Sequence, residues 1–105
     1  MAPGAEAMRK RDAVALIRRV AKAGVAVEFK DHAEEEMVRE EITRGDVLKA
    51  LQNCRVAERT FDVEHEEWKY ETKGTAGGLP LGVVVTIQTD PDGLKIVTVW
   101  DANKV

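Results

Sequence analysis

Serine is absent from all 105 residues, which removes every mechanism built on a serine nucleophile. Cysteine occurs once, as Cys54, so no internal disulfide can form and no thiolate cluster can hold a metal; a small side chain closing the end of a helix is its simplest role. Histidine occurs twice, as His32 and His65, far apart in the chain, and with no cysteine cluster beside them neither zinc nor another cofactor is expected. No apolar run approaches the roughly 20 residues that cross a bilayer. The opening MAPGAEAMRKRD has no apolar core of a secretory signal, so a cytoplasmic protein without membrane contact is expected. A general basic excess is missing too: net charge is −3 and the pI near 5.4, whereas nucleic-acid affinity draws on many Lys and Arg contacts to phosphate. Gly74, Gly77 and Gly78 precede a strand and not a helix, which excludes the phosphate cradle of a nucleotide fold.

What charge there is lies unevenly. Through Lys30, seven basic residues face three acidic ones, an excess of +4 that leaves −7 for the rest of the chain. The basic part is periodic: Ala13, Leu16, Ile17, Val20 and Ala21 recur at helical spacing between about Ala5 and Ala23, with arginines and lysines opposite and Gly24 as a stop. That basic face is either solvated cover for a core-facing stripe or a contact for RNA or an acidic partner. Residues 31–47, DHAEEEMVREEITRGDV, carry two capping-box spacings, Asp31 with Glu34 and Thr43 with Asp46. They predict a short helix ending near Glu41 and a second running to about Asn53, with Met37, Val38, Val47, Leu48 and Leu51 toward the core.

Beyond Asn53 the period changes. Residues 56–61, 66–72, 81–89 and 94–100 are rich in β-branched and aromatic side chains and read as strands. Turns are expected at residues 74–80 and at Asp90-Pro91-Asp92-Gly93, and short connections favour an antiparallel meander. Residues 25–29 form either an edge strand or an extended lead into the next helix. The expectation is α+β: a single domain over residues 1–105, with a basic amphipathic helix within 1–24 and a core over 25–101, its helices packed on one face of a four-stranded antiparallel sheet. Trp68, Tyr70, Val83, Val85, Ile87, Val97 and Val99 are expected to face those helices.

Around Trp68, the residues Glu67, Lys69, Glu71 and Lys73 alternate with Trp68, Tyr70 and Thr72, which puts the charged set on the open face, with His65 sharing its parity. His65, Lys69 and Lys73, joined by Arg59 from the neighbouring strand, are the residue types that phosphodiester cleavage needs: groups for proton transfer and cations for the phosphorane. Their spacing covers roughly 26 Å at about 3.3 Å per residue, so they cannot all touch one phosphate. The same alternation equally describes a solvated face whose charges pair across strands. His32, just inside a helix, suits a packed or capping histidine as well as a catalytic one, and Tyr70 is read as core rather than as an acid catalyst.

His32, Ala33, Met37, Ile42, Thr43, Asp46 and Val47 follow the pattern H-A-x-x-R-M-x-x-R-x-I-[ST]-x-x-D-V, and the last strand contains the apolar run Ile96-Val97-Thr98-Val99-Trp100. Together they resemble a poorly characterised family of small bacterial proteins similar to the RelE, BrnT and MqsR ribonuclease toxins, over roughly residues 25–101. The pattern's two arginines are Glu36 and Glu40 here. The resemblance implies a RelE-like fold and a metal-independent mRNA endoribonuclease of a type II toxin–antitoxin pair, acting on free or ribosome-bound mRNA held on the open face of the sheet. It also implies a cognate antitoxin that covers that face. On this reading His32, His65, Lys69 and Lys73 are the candidate catalytic residues, and Arg59, Lys69 and Lys73 the candidate RNA contacts. The alternative is a non-catalytic protein-binding module on the same fold, whose acidic surface takes a basic partner.

Overall fold

The computed structural model describes residues 7–103. Its elements are α1 (Lys10–Ala23), β1 (Val27–Phe29), α2 (Asp31–Glu40), α3 (Arg44–Gln52), β2 (Arg55–Asp62), β3 (Glu67–Ala76), β4 (Leu79–Gln88) and β5 (Gly93–Asp101). The strands form one sheet in the order β1-β5-β4-β3-β2, antiparallel except for β1, which runs parallel to β5. The fold is α+β, but the expected four-stranded antiparallel sheet is corrected to a five-stranded mixed one. Three residues are too few to show alternation, and β1 becomes a strand only through its distant partner: Val27, Glu28 and Phe29 pair with Leu94, Lys95 and Ile96.

The apolar stripe of α1 is buried as its spacing predicts, and Gly24 ends the helix in the left-handed region (φ 71°) with its N–H donating to Val20 O. The helix begins at Lys10 and not near Ala5; residues 5 and 6 lie outside the described residues. Bonds to the sheet hold its start. Met8 N donates to Tyr70 Oη at 2.9 Å, Arg59 Nη1 to Met8 O at 3.1 Å, and Lys10 Nζ to Ala57 O at 3.0 Å.

No capping box forms at Asp31 and Glu34. Lys30 sits at the cap position without a side-chain bond to the helix, its N–H donating to Ile96 O, so the chain passes from β1 into α2 without a loop, while Glu34 pairs with Arg44. The other end of α2 is a Schellman motif: Ile42 N donates to Met37 O at 2.8 Å and Glu41 N to Val38 O at 3.3 Å, with Glu41 in the left-handed region. Ile42 is buried after this reversal, and Val38, expected in the core, is 81% exposed. Ala33 and Met37 face inward one turn apart, which turns Val38 outward. The second capping box forms as predicted, Asp46 N donating to Thr43 Oγ1 and Thr43 N to Asp46 Oδ2, both at 3.0 Å.

The end of α3 rests directly on β3. A Cβ on Gly74 would lie 2.1 Å from Ala50 O, so only glycine permits the approach. Beside it the Asn53 amide takes both backbone groups of Thr75, accepting from Thr75 N at 2.9 Å and donating to Thr75 O at 2.7 Å. β3 therefore continues to Ala76, and the broad turn expected over 74–80 narrows to Gly77 and Gly78, both at positive φ, as a two-residue hairpin requires.

Tyr70, Val83, Val85, Leu94, Ile96 and Val99 are buried on the helix side, with Trp68 and Ile87 partly buried against them. Two β-bulges shift other side chains. In β5, Val84 pairs with Thr98 and Val85 with Ile96, so Val97 is the extra residue and leaves the core for the open face. In β2 the extra residue is Ala57, between the pairs Val56–Thr72 and Glu58–Glu71, which brings Arg59 opposite Tyr70 on the helix side. Among the described residues, no helix is long and apolar enough to cross a membrane.

Candidate functional site

On the face away from the helices, the register aligns Thr60, Lys69, Thr86, Lys95 and Glu28 in one row across all five strands. A cavity of about 280 Å³ opens there, lined by Lys30, His32, His65, Glu67, Lys69, Thr86, Lys95 and Val97. Lys30 and His32 reach it because β1 runs straight into α2. His65 comes from the β2–β3 turn, and Val97 is delivered by the bulge.

Each histidine is oriented by a carboxylate that is itself held. His65 Nδ1 lies 2.9 Å from Asp62 Oδ2, Asp62 Oδ1 accepts the His65 N–H at 3.2 Å, and Lys69 Nζ lies 3.0 Å from Asp62 Oδ2. The bond from His65, followed by that from Lys69, holds the Asp62 carboxyl well below the usual carboxylate range. A carboxylate at Nδ1 leaves Nε2 of His65 turned away from it, a pairing that fixes ring and tautomer. At the other end of the cavity His32 Nε2 lies 3.3 Å from Glu36 Oε2, while Glu36 Oε1 accepts the N–H of Val99 at 3.0 Å. That N–H belongs to the stretch of β5 beyond the reach of the short β1. Both rings remain accessible, with side chains 67% and 63% exposed for His32 and His65.

At the middle of the row is an anomaly. Thr86 is 2% exposed, and among the described residues its Oγ1 is the one buried side-chain polar atom without a hydrogen-bond partner. Such an orphan costs about 1–3 kcal/mol. Thr72, equally buried on the helix side, donates to Val83 O at 2.8 Å.

His32, His65 and Lys69 are thus gathered at one cavity. His65 gets there from a turn, not by strand parity. Lys73 shares the open face but belongs to another row, opposite Gly82 and Trp100, with its Nζ 5.7 Å from the centre of the Trp100 ring. Arg59 is corrected: the Ala57 bulge puts it on the helix side, where it binds Met8 O and not the open face. The sequence reading missed Lys30, Lys95 and Thr86 as lining residues and Asp62 and Glu36 as orienting ones; the signals were the i, i+3 and i, i+4 spacings of Asp62–His65 and His32–Glu36. Burial pushes the Cys54 thiol up to about 11, which suits a packed side chain and not a nucleophile. Among the described residues no three His, Cys, Asp or Glu side chains gather to hold a metal ion.

The chain has no match among curated proteins. Residues 29–101 match a family described as a domain of unknown function, DUF4258. The match runs from the last residue of β1 to the last of β5 and takes in every residue that lines the cavity, leaving α1 outside. By that extent the chain belongs to the DUF4258 family.

Proposed function

We propose that the protein is a metal-independent endoribonuclease of the toxin type, cutting mRNA on the open face of its sheet in the cytoplasm and silenced by an antitoxin that covers this face. The observation that carries the reading is the convergence of His32 and His65, each backed by a held carboxylate, on one cavity with Lys69 and Lys95. In this reaction one neutral imidazole takes the proton of the ribose 2′-hydroxyl, and the 2′-oxygen attacks the adjacent phosphorus. The other imidazole, protonated, gives its proton to the departing 5′-oxygen, leaving a 2′,3′-cyclic phosphate and a free 5′-hydroxyl. The lysines offset the charge that builds on the phosphorane.

His32→Ala and His65→Ala should each lower the cleavage rate by about 10² to 10⁴ while the circular dichroism spectrum stays that of the wild type. Free and ribosome-bound mRNA are both to be assayed; a wild-type protein that cuts neither, and whose expression leaves growth untouched, ends this reading. One observation favours the second reading, a non-catalytic protein-binding module: Val38 stands exposed on the outer face of α2 beside Glu34, Glu35 and Glu41. That module is expected to be harmless on expression and to retain a basic partner through α2, in a way that Val38→Asp abolishes.

A further inference from the structure

Thr86 and Lys95 face each other in register on β4 and β5, and among the described residues neither side chain has a bonding partner. The other cations of the cavity are matched: Lys69 lies 3.0 Å from Asp62 and Lys30 3.3 Å from Glu28. Glu67 is the carboxylate in the lining itself. Lys69 and Lys95 flank Thr86 at one strand spacing each, about 4.8 Å, so their stems rise on either side of a hydroxyl that has lost its water. A buried hydroxyl is a directional donor and an unmatched ammonium a point charge. Together they suit a compact anion with several acceptor oxygens, and no cation or apolar group would satisfy both.

We propose that Thr86 and Lys95 form a binding site for a single phosphoryl group, with Thr86 Oγ1 donating the hydrogen bond and Lys95, helped by Lys69, supplying the charge. This rests on the reading of the cavity as the place where RNA is cut, and it names the residues on which the scissile phosphate sits.

The test is an amide-resolved NMR titration of the ¹⁵N-labelled full chain at neutral pH, with sodium chloride at matched ionic strength as the control. One arm uses inorganic phosphate, the other a 2′-deoxy dinucleotide that carries a phosphodiester and cannot be cut. Saturable shifts centred on Thr86 and Lys95 are expected in the dinucleotide arm; saturation by inorganic phosphate alone also supports the site and assigns it to a free phosphate or a phosphomonoester. Thr86→Val should weaken the binding by roughly tenfold to a hundredfold, and Lys95→Met, which keeps the test intact if the first variant misfolds, by a similar factor. No saturable shift at these two amides in either arm overturns the proposal, as does wild-type affinity in both variants. Binding by a protein that cuts no RNA keeps the site and removes the ribonuclease; cleavage at wild-type rate by both variants does the reverse.

Discussion

Thr86→Val should make the protein more stable, and the same substitution at Thr72 should make it less so. Both threonines are buried in adjacent central strands, and valine and threonine are both favourable there, so the backbone preference largely cancels. What differs is the hydroxyl. At Thr86 it has no partner, and replacing it with a methyl group removes an unmet desolvation cost of about 1–3 kcal/mol. At Thr72 it donates to Val83 O, and its loss forfeits a bond worth a net 0.5–1.5 kcal/mol or about that. A domain of this size moves its midpoint by about 4–8 °C per kcal/mol, so the two variants should lie on opposite sides of the wild type by several degrees. Thermal and urea unfolding in phosphate-free buffer measure this directly. Added phosphate should narrow the gap between wild type and Thr86→Val, because a ligand that binds the folded state stabilises the better binder more. Equal losses in the two variants would refute the argument, since they would mean that the Thr86 hydroxyl is bonded after all.

Other consequences can be measured on the same material. Gly74→Ala sets a methyl group against the Ala50 carbonyl and should cost about 1–3 kcal/mol in urea unfolding, with α3 displaced from β3; an unchanged midpoint would show that the contact relaxes freely. Glu36→Arg removes the acceptor of Val99 N and the partner of His32, so it should lower stability by about 1–3 kcal/mol and slow cleavage; a stable and faster variant would show that Glu36 orients nothing. Asp62 is held below its unfolded pKa near 3.9, so its contribution is complete above that value and fades as the pH falls beneath it. The deficit of Asp62→Asn should accordingly be present at pH 5 and shrink as the pH falls below about 4; an equal deficit at pH 5 and pH 2 would contradict the ionic pairing.

The parts of the fold that were legible in the sequence are those governed by local spacing. The α1 stripe, the Thr43–Asp46 box and the strands after Asn53 announce themselves within a few residues. What was hidden depends on pairing between distant segments. β1 exists because β5 lies beside it, and the Asp31 start lacks its capping box because the cap position falls one residue earlier, at Lys30, whose carbonyl takes the Glu34 N–H. Arg59 and Val97 were misplaced for one common reason: each follows or forms a bulge, and an inserted residue reverses the inside–outside alternation from that point on. The residue types of the site were readable, but their meeting was not. His32 and His65 share a cavity only because β1 and the β2–β3 turn bring them to the same end of the open face, and the Thr86–Lys95 pair needs the β4–β5 register to be seen at all.

The bulge at Val97 has a bearing on inheritance as well as geometry. Lys95 and Trp100 are an odd number of residues apart, which in an unbroken strand would set them on opposite faces. The extra residue brings both onto the open face, where Lys95 serves the cavity and Trp100 lies flat over Gly82, a Cβ there coming 2.1 Å from the ring. Deleting Val97 would leave the two side chains four residues apart in an unbroken strand, so both would stay on the open face and the strand would keep its partners. What a shorter strand would lose is the side chain that the bulge adds to the open face, Val97 in the lining of the cavity. An alignment that sets a one-residue gap at Val97 therefore keeps the open faces of a bulged and an unbulged strand matched, and one that forbids the gap sets inward residues against outward ones.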